Sequence, residues 1–288
     1  MHGRTDKPDY LAIGHITRDL LSNGGANLGG TVTYAALTAQ RLGQQAAIVT
    51  SCATNEMKML DPLRDAGVWL HIIPSQESTT FQNIYDAQGN RAQIIGGHAA
   101  DIDIAEIPDA WREAGIVHLA PVAQEIPAYI VRAFSDCLLG VTPQGWMRTW
   151  DVEGHVTQAA LPLSPALTAL PENAVLVASI EDMGNSRDAL QAYVNLAPLV
   201  VITQGGDDAL IWHNGTTGKI PACHAKPIDP TGAGDVFAAA FFVMWRQTRD
   251  IVGSARFAHA AAACAIEDIG INGIPTRDQV QTRQGIAR

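Results

Sequence analysis

The sequence predicts an α/β fold, a mostly parallel central sheet with helices on both faces, on three observations. Short apolar runs that end near a glycine or small polar residue recur at strand length, at 10–14, 46–50, 68–73, 115–119, 174–178 and 198–203. Between them lie segments whose apolar residues repeat every three and four positions, as one face of a helix does. One stretch breaks the alternation, because 80–85 and 91–95 flank Asp86-Ala87-Gln88-Gly89-Asn90 as the arms of a β-hairpin.

In order, the strand at 10–14 is followed by Asp19, a glycine-rich piece at 23–30, and a helix at 31–42 that stops at Gly43. A helix at 55–66 separates the next two strands. The hairpin then forms a flap or lid, or else an antiparallel edge of the main sheet. After the strand at 115–119 the spacing predicts a helix over 125–139, with Ile126, Tyr129, Ile130, Ala133 and Cys137 on one face, and then a loop at 144–148. A helix at 187–196 and an alanine-rich helix at 254–267 complete the pattern. Ligands in such sheets gather beyond the carboxyl ends of the strands, which groups Asp182, Thr203, Gly205 and the turn at Gly232 along one crevice.

The 288 residues, 47% apolar and 17% charged, suffice for one domain with a sizeable core. A formal net charge of −10 argues against nucleic-acid partners, so an anionic ligand has to be held locally. Cys52, Cys137, Cys223 and Cys264 form no C-x-x-C pair, and the nine histidines show no metal-binding spacing; reduced thiols and no zinc are expected. With a polar start and no apolar run long enough for a membrane span, the expected setting is cytoplasmic, with no membrane contact.

Chemistry concentrates in Asp229-Pro230-Thr231-Gly232-Ala233-Gly234-Asp235 and the helix that follows, whose Phe237, Ala240, Phe241 and Met244 share a face. Glycines at a helix start leave backbone N–H groups open to an anion, and the helix dipole favours negative charge there. Asp235 within that site is either a helix cap or a base that takes a proton from a hydroxyl about to be phosphorylated. An ordinary aspartate pKa of about 3.9 would leave it ionised at neutral pH. No Walker loop competes, because Gly218-Lys219 is followed by Ile220, and no G-x-G-x-x-G is present.

These pieces resemble the ribokinase and phosphofructokinase-B family of carbohydrate kinases. Asp229 to Asp235 is similar to the family's D-T-x-G-A-G-D signature, Gly29-Gly30 with Leu42-Gly43 to its N-terminal signature, and Phe257-Ala258-His259-Ala260-Ala261-Ala262-Ala263 to its adenine-side helix. The resemblance implies a ribokinase-like domain over 1–288 with a small antiparallel β lid built from about 15–30 and 79–97, which often makes a homodimer contact. It implies ATP and Mg²⁺ as cofactors, K⁺ as a further one, and a small polyhydroxy substrate. Asp235 is then the base, and the N–H groups of Gly232, Ala233 and Gly234 form the anion hole. Thr203, Gly205, Asp182 and His259 lie on the nucleotide side, although a histidine such as His259 is more often simply packed. Asp182 serves Mg²⁺ through water, while Asp229 and Thr231 match monovalent-cation positions. Asp19, Gly29, Gly30 and Tyr34 lie on the substrate side.

Departures from the family pattern narrow the substrate. Tyr34 stands where ribokinases carry asparagine, Leu119 matches their sugar-binding glutamate, and Ser179-Ile180-Glu181-Asp182 replaces the N-x-x-E element. The glycine-pair segment, 79–85 and 143–148 look most like the inositol-kinase-like branch, which implies a myo-inositol-like cyclitol. A nucleoside kinase of the same fold and a non-catalytic nucleotide- or sugar-binding regulator are the alternatives.

Overall fold

The computed structural model describes residues 6–21, 23–85 and 91–286. Its first half contains β1 (Tyr10–Ile13), β2 (Thr17–Leu20), β3 (Ala26–Gly29), α1 (Thr31–Arg41), β4 (Ala46–Ala53), α2 (Asp61–Asp65), β5 (Trp69–Ser75), β6 (Thr80–Tyr85), β7 (Arg91–Gly97), β8 (Ile116–Leu119) and β9 (Leu138–Val141). The second half begins with β10 (Arg148–Trp150), β11 (Val156–Gln158), α3 (Pro165–Thr168) and β12 (Ala174–Ser179). It continues through α4 (Arg187–Tyr193), β13 (Leu199–Gln204), β14 (Asp207–His213), β15 (Thr216–Ile220), α5 (Ala233–Thr248), α6 (Ile251–Ala265) and α7 (Arg277–Ile286).

Nine strands form the main sheet in the order β15-β14-β13-β12-β9-β8-β1-β4-β5. From β13 to β5 all neighbours are parallel; β14 and β15 are added antiparallel at one edge. Because side chains alternate across a strand, Tyr10, Ala12 and Ile48 face one layer of helices while Leu11, Ile13, Ala47 and Val49 face the other. The first layer is α1, α5 and α6, packed through Val32, Ala36, Phe237, Phe241 and Ala258. The second is built from α3, α4 and short 3₁₀ turns, with Trp111, Ile130, Phe134 and Tyr193 inward. No helix among the described residues is long and apolar enough to cross a membrane.

A second sheet, ordered β3-β2-β6-β7, stands outside the first. Two antiparallel pairs, β2–β3 and β6–β7, are joined by a parallel pairing of β2 with β6. The expected hairpin is therefore part of this separate sheet, and not an edge of the main one; its turn, 86–90, lies outside the described residues.

Two helix expectations fail. Over 125–139 only Ala128–Arg132 is helical, as a 3₁₀ turn, and Leu138–Val141 is a strand of the main sheet. Glu125 is fully buried with its carboxylate accepting the N–H groups of His15, Val122 and Ala123, so it fixes a loop instead of starting a helix. Adjacent β-branched residues and Ser135-Asp136 add little helical preference beyond it. The segment expected as one helix at 55–66 is a 3₁₀ stretch, Thr54–Leu60, running into α2. Pro62 has no N–H for the carbonyl four residues back and lies in the first turn of α2, where that N–H is not needed, so the α-helix starts afresh there. The alanine-rich helix begins three residues earlier than expected, at Ile251, because Asp250 caps it by accepting the Gly253 N–H at 3.0 Å.

Candidate active site

Strand order reverses beside β1, with β8 on one side and β4 on the other, and a crevice forms beyond the strand ends at such a point. The residues leaving β1 and β8 are tied together there by the buried Glu125 carboxylate. Two helices, α1 and α5, start at this place and pack on each other.

Helix α5 starts on Gly232, whose backbone is left-handed (φ 77°) and which supplies no side-chain cap. Glycine is required twice over, because a Cβ here would also overlap the ring of Tyr34. The Ala233 N–H is already used, donating to Pro230 O at 3.2 Å. Gly232 and Gly234 meet no backbone acceptor among the described residues, so the expected anion hole retains two of its three N–H groups.

Asp235 follows in the first turn, half-buried. Burial pushes its pKa up to about 7; the Thr31 hydroxyl donates to its carboxylate and pulls the other way, the Asp182 charge adds to the rise, Arg148 opposes it, and Asp19 adds again. The ordinary aspartate pKa expected from the sequence is therefore shifted upward, with burial as the main cause.

On the other side, Gly30 starts α1 with φ 90°, and a Cβ would lie 2.5 Å from His15 O. The missing side chain of Gly29 leaves room for the Asp19 carboxylate, whose Oδ1 accepts from the Thr17 hydroxyl at 2.8 Å. Tyr34 is buried at 5% exposure, and burial with the charges of Asp235, Asp19 and Asp229 holds its hydroxyl well above the usual tyrosine pKa. Arg148 is equally buried: it donates to Val122 O at 2.9 Å and lies 5.0 Å from the centre of the Phe81 ring in the small sheet.

A second group forms where β12 and β13 end. Ser179 pairs with Thr203, so the loops that follow run side by side. The Thr203 hydroxyl donates to Ala178 O at 3.3 Å, and the Glu181 carboxylate lies near Gly205. Asp182 Oδ1 accepts from Gln144 Nε2 at 3.2 Å and from Gln158 Nε2 at 2.8 Å. Its Oδ2 has no hydrogen bond among the described residues, which suits a carboxylate that serves a hydrated cation. His259 is 7% exposed, edge-on to Phe237 at 5.0 Å, and burial lowers its pKa. One nitrogen bonds Ile220 O, while Nε2 has no partner among the described residues.

Asp229 ties the turn to the far loop, Oδ1 accepting the Thr231 N–H and Oδ2 the Gly270 N–H, each at 2.9 Å. Burial would raise its pKa, but these bonds and the Thr231 hydroxyl outweigh that and hold it below the usual value.

Asp235, Gly232, Tyr34, Asp19 and Gly29 thus form one cluster, with Asp182 on its flank. Thr203 and Gly205 lie at the end of β13 beside the Glu181 loop, and His259 packs on Phe237 of α5. Sequence reasoning missed Thr31, Gln158 and the burial of Arg148. Thr31 was legible as the first hydroxyl after the glycine pair; the other two depend on the β10–β11 hairpin, which is too short to announce itself.

Among solved structures the same architecture occurs in a pyrophosphate-dependent kinase of the ribokinase family, solved as a sulfate complex, at a TM-score of 0.77 and 20% identity over 95% of this chain and 99% of that one. The fold is therefore ribokinase-like. A family model described as pfkB family carbohydrate kinase matches residues 22–277, and the chain belongs to that family: it is a sugar or nucleoside kinase that phosphorylates a hydroxyl. Curated relatives include a cytidine kinase of Thermococcus kodakarensis, 24% identical over 84% of this chain and 90% of its own length. A ribokinase of Bacillus subtilis is 26% identical over 88% and 86%, and an inositol 3-kinase of Oryza sativa 26% identical over 95% and 71%.

Proposed function

We propose that the chain transfers the γ-phosphoryl group of ATP to a hydroxyl of a small cyclitol of the myo-inositol type, with Asp235 as the base. The observation that carries this reading is Asp235 itself, a half-buried acid at the start of α5 with a pKa of about 7, beside N–H groups that meet no backbone acceptor. A base works best when its pKa lies near the operating pH. Asp235 takes the hydroxyl proton as the substrate oxygen bonds to the γ-phosphorus; the bond from phosphorus to the bridging oxygen breaks and ADP leaves. The N–H groups of Gly232 and Gly234 hold the charge on the moving phosphoryl group.

On the acceptor side, Asp19 accepts substrate hydroxyls across Gly29 and Gly30. Tyr34, where asparagine is usual in ribokinases, offers a flat wall that suits the C–H face of a cyclitol. The small sheet acts as a lid and as a dimer contact. On the donor side, Thr203 and Gly205 approach the phosphates, and His259 on α6 lies toward the adenosine part. Asp182 is the group suited to hold Mg²⁺ through water; that ion neutralises phosphate charge when bound. Asp229 and Thr231 are the residues that would hold K⁺, at a turn that Asp229 shapes through its bonds to N–H groups.

A nucleoside acceptor is the second reading, supported by the cytidine kinase relative at 24% identity. An ADP-release screen over cyclitols, pentoses, hexoses and nucleosides separates the two, with orthophosphate release from pyrophosphate followed in parallel as the test of the other donor. A cyclitol is expected to give the highest kcat/KM. Silence across the panel with intact nucleotide binding overturns turnover itself and leaves a regulator.

A further inference from the structure

The β10–β11 hairpin touches both groups of the site. Its first residue, Arg148, lies buried against Phe81 of the small sheet. Its middle docks on the edge of that sheet: the Ile95 N–H donates to Gly154 O at 2.9 Å, His155 bridges to Ile94, and Val156 packs on the cluster of Phe81 and Ile95. Gly154 is buried there with φ 85°, and a Cβ would run into Ile95 O. Its last residue, Gln158, donates to Asp182 Oδ1 at 2.8 Å, the shorter of the two amide bonds that hold that carboxylate. The turn residues Asp151, Glu153 and His155 bring three ligand-type atoms close together. Asp151 is already engaged there, accepting from the Glu153 and His155 backbones and facing the His155 ring, so this cluster is turn architecture.

We propose that the hairpin is a strap linking the small sheet to the donor side, and that Gln158 is the positioning residue at its end, setting the Asp182 carboxylate according to where the sheet lies. This rests on the reading of Asp182 as the Mg²⁺-serving group. A short amide-to-carboxylate bond fixes one oxygen and aims the other, and a strap pinned at Gly154 and Val156 can pass a displacement of β7 to that bond over a few residues. Acceptor closure and donor metal binding become linked through this chain's own contacts, without a helix or hinge between them.

The test is calorimetric titration of the full chain with ADP, in Mg²⁺ and in EDTA, which needs no turnover and no known acceptor. The unmodified chain is expected to bind ADP more tightly in Mg²⁺. Gln158→Leu keeps the volume and removes the donor; it is expected to weaken the Mg²⁺ affinity about three- to tenfold, the usual worth of one such bond, with the EDTA affinity unchanged. Gly154→Ala lifts the strap from β7 while leaving Gln158 and Asp182 in place, and is expected to act in the same direction. Val156→Ala loosens the same anchor at lower risk to folding, and stands in if the alanine at 154 unfolds the chain.

Equal Mg²⁺ affinity in Gln158→Leu and the parent overturns the proposal. So does an effect at 158 that neither strap variant reproduces, because Gln158 then acts locally. A parent chain whose ADP affinity ignores Mg²⁺ overturns the reading of Asp182 beneath it, an outcome recognised without any variant.

Discussion

Helices α1 and α5 begin alike and serve differently. Each starts on a glycine with positive φ, each lacks a side-chain cap, and they meet at the switch point of the sheet. The first turn of α1 carries hydroxyls, Thr31 toward Asp235 and Thr33 back to Gly29 O at 2.7 Å. That of α5 carries the acid. The glycines differ too: the space a Cβ would need is filled by backbone at Gly30 and by a side chain, Tyr34, at Gly232. One helix start is fixed by the main chain, the other by a removable wedge, and the acid sits on the second.

The sharpest way to break this comparison is Asp235→Asn, which is expected to lower turnover by roughly 10²- to 10⁴-fold, the span of a positioned base, while ADP still binds. A variant that turns over like the parent removes Asp235 from the chemistry and leaves two equivalent helix starts.

Stability separates the glycines. Gly30→Ala is expected to cost about 3 kcal/mol, strained backbone plus a clash that no side chain can relieve. Gly232→Ala should cost about 2 kcal/mol, and adding Tyr34→Leu should return the steric share but not the backbone share. Denaturant midpoints decide it; if residue 34 has no influence on the cost at 232, the wedge is wrong.

For pH, kcat/KM should rise through about 7 as Asp235 loses its proton, whereas an ordinary carboxylate would place that limb near 4. The linked stability has the opposite sense. With a folded pKa of about 7, above the unfolded value, ionising Asp235 costs nothing below the unfolded pKa, and its full cost is present above 7. Asp235→Asn should accordingly raise Tm at pH 8 and not at pH 4. The smallest effect is expected from Thr31→Val: without the hydroxyl that favours the ionised acid, the limb moves to higher pH, by less than about one unit. A limb that stays in place denies the Thr31 bond its effect.

The parallel strands and the glycine turn were legible because each is a local signal, an apolar run or a run of residues with only one conformational use. Asp235 was legible from the glycine turn and Asp182 from a strand end, whereas a role for Asp19, Gly29 and Gly30 came only through the family resemblance. The ionisation of Asp235 was not, since it depends on burial and on charges that arrive from β2, the Asp182 loop and β10. Nor was the fate of 125–139, where a helical period lost to the three N–H groups that claim Glu125. The pair β14–β15 did announce itself: Asn214-Gly215, with φ 49° and 76°, is the two-residue turn that joins antiparallel strands.

The contact of Tyr34 with Gly232 joins the acceptor side proposed above to the turn that carries the acid. In an enzyme whose acceptor pocket and catalytic turn were independent, a residue such as 34 would be free to drift as substrates changed. Here its ring braces the turn that presents the acid, so every substitution that reshapes the pocket at this point also shifts the machinery. A laboratory change of acceptor made at position 34 is therefore expected to shift the glycine turn as well, whereas changes in the small sheet leave that turn in place.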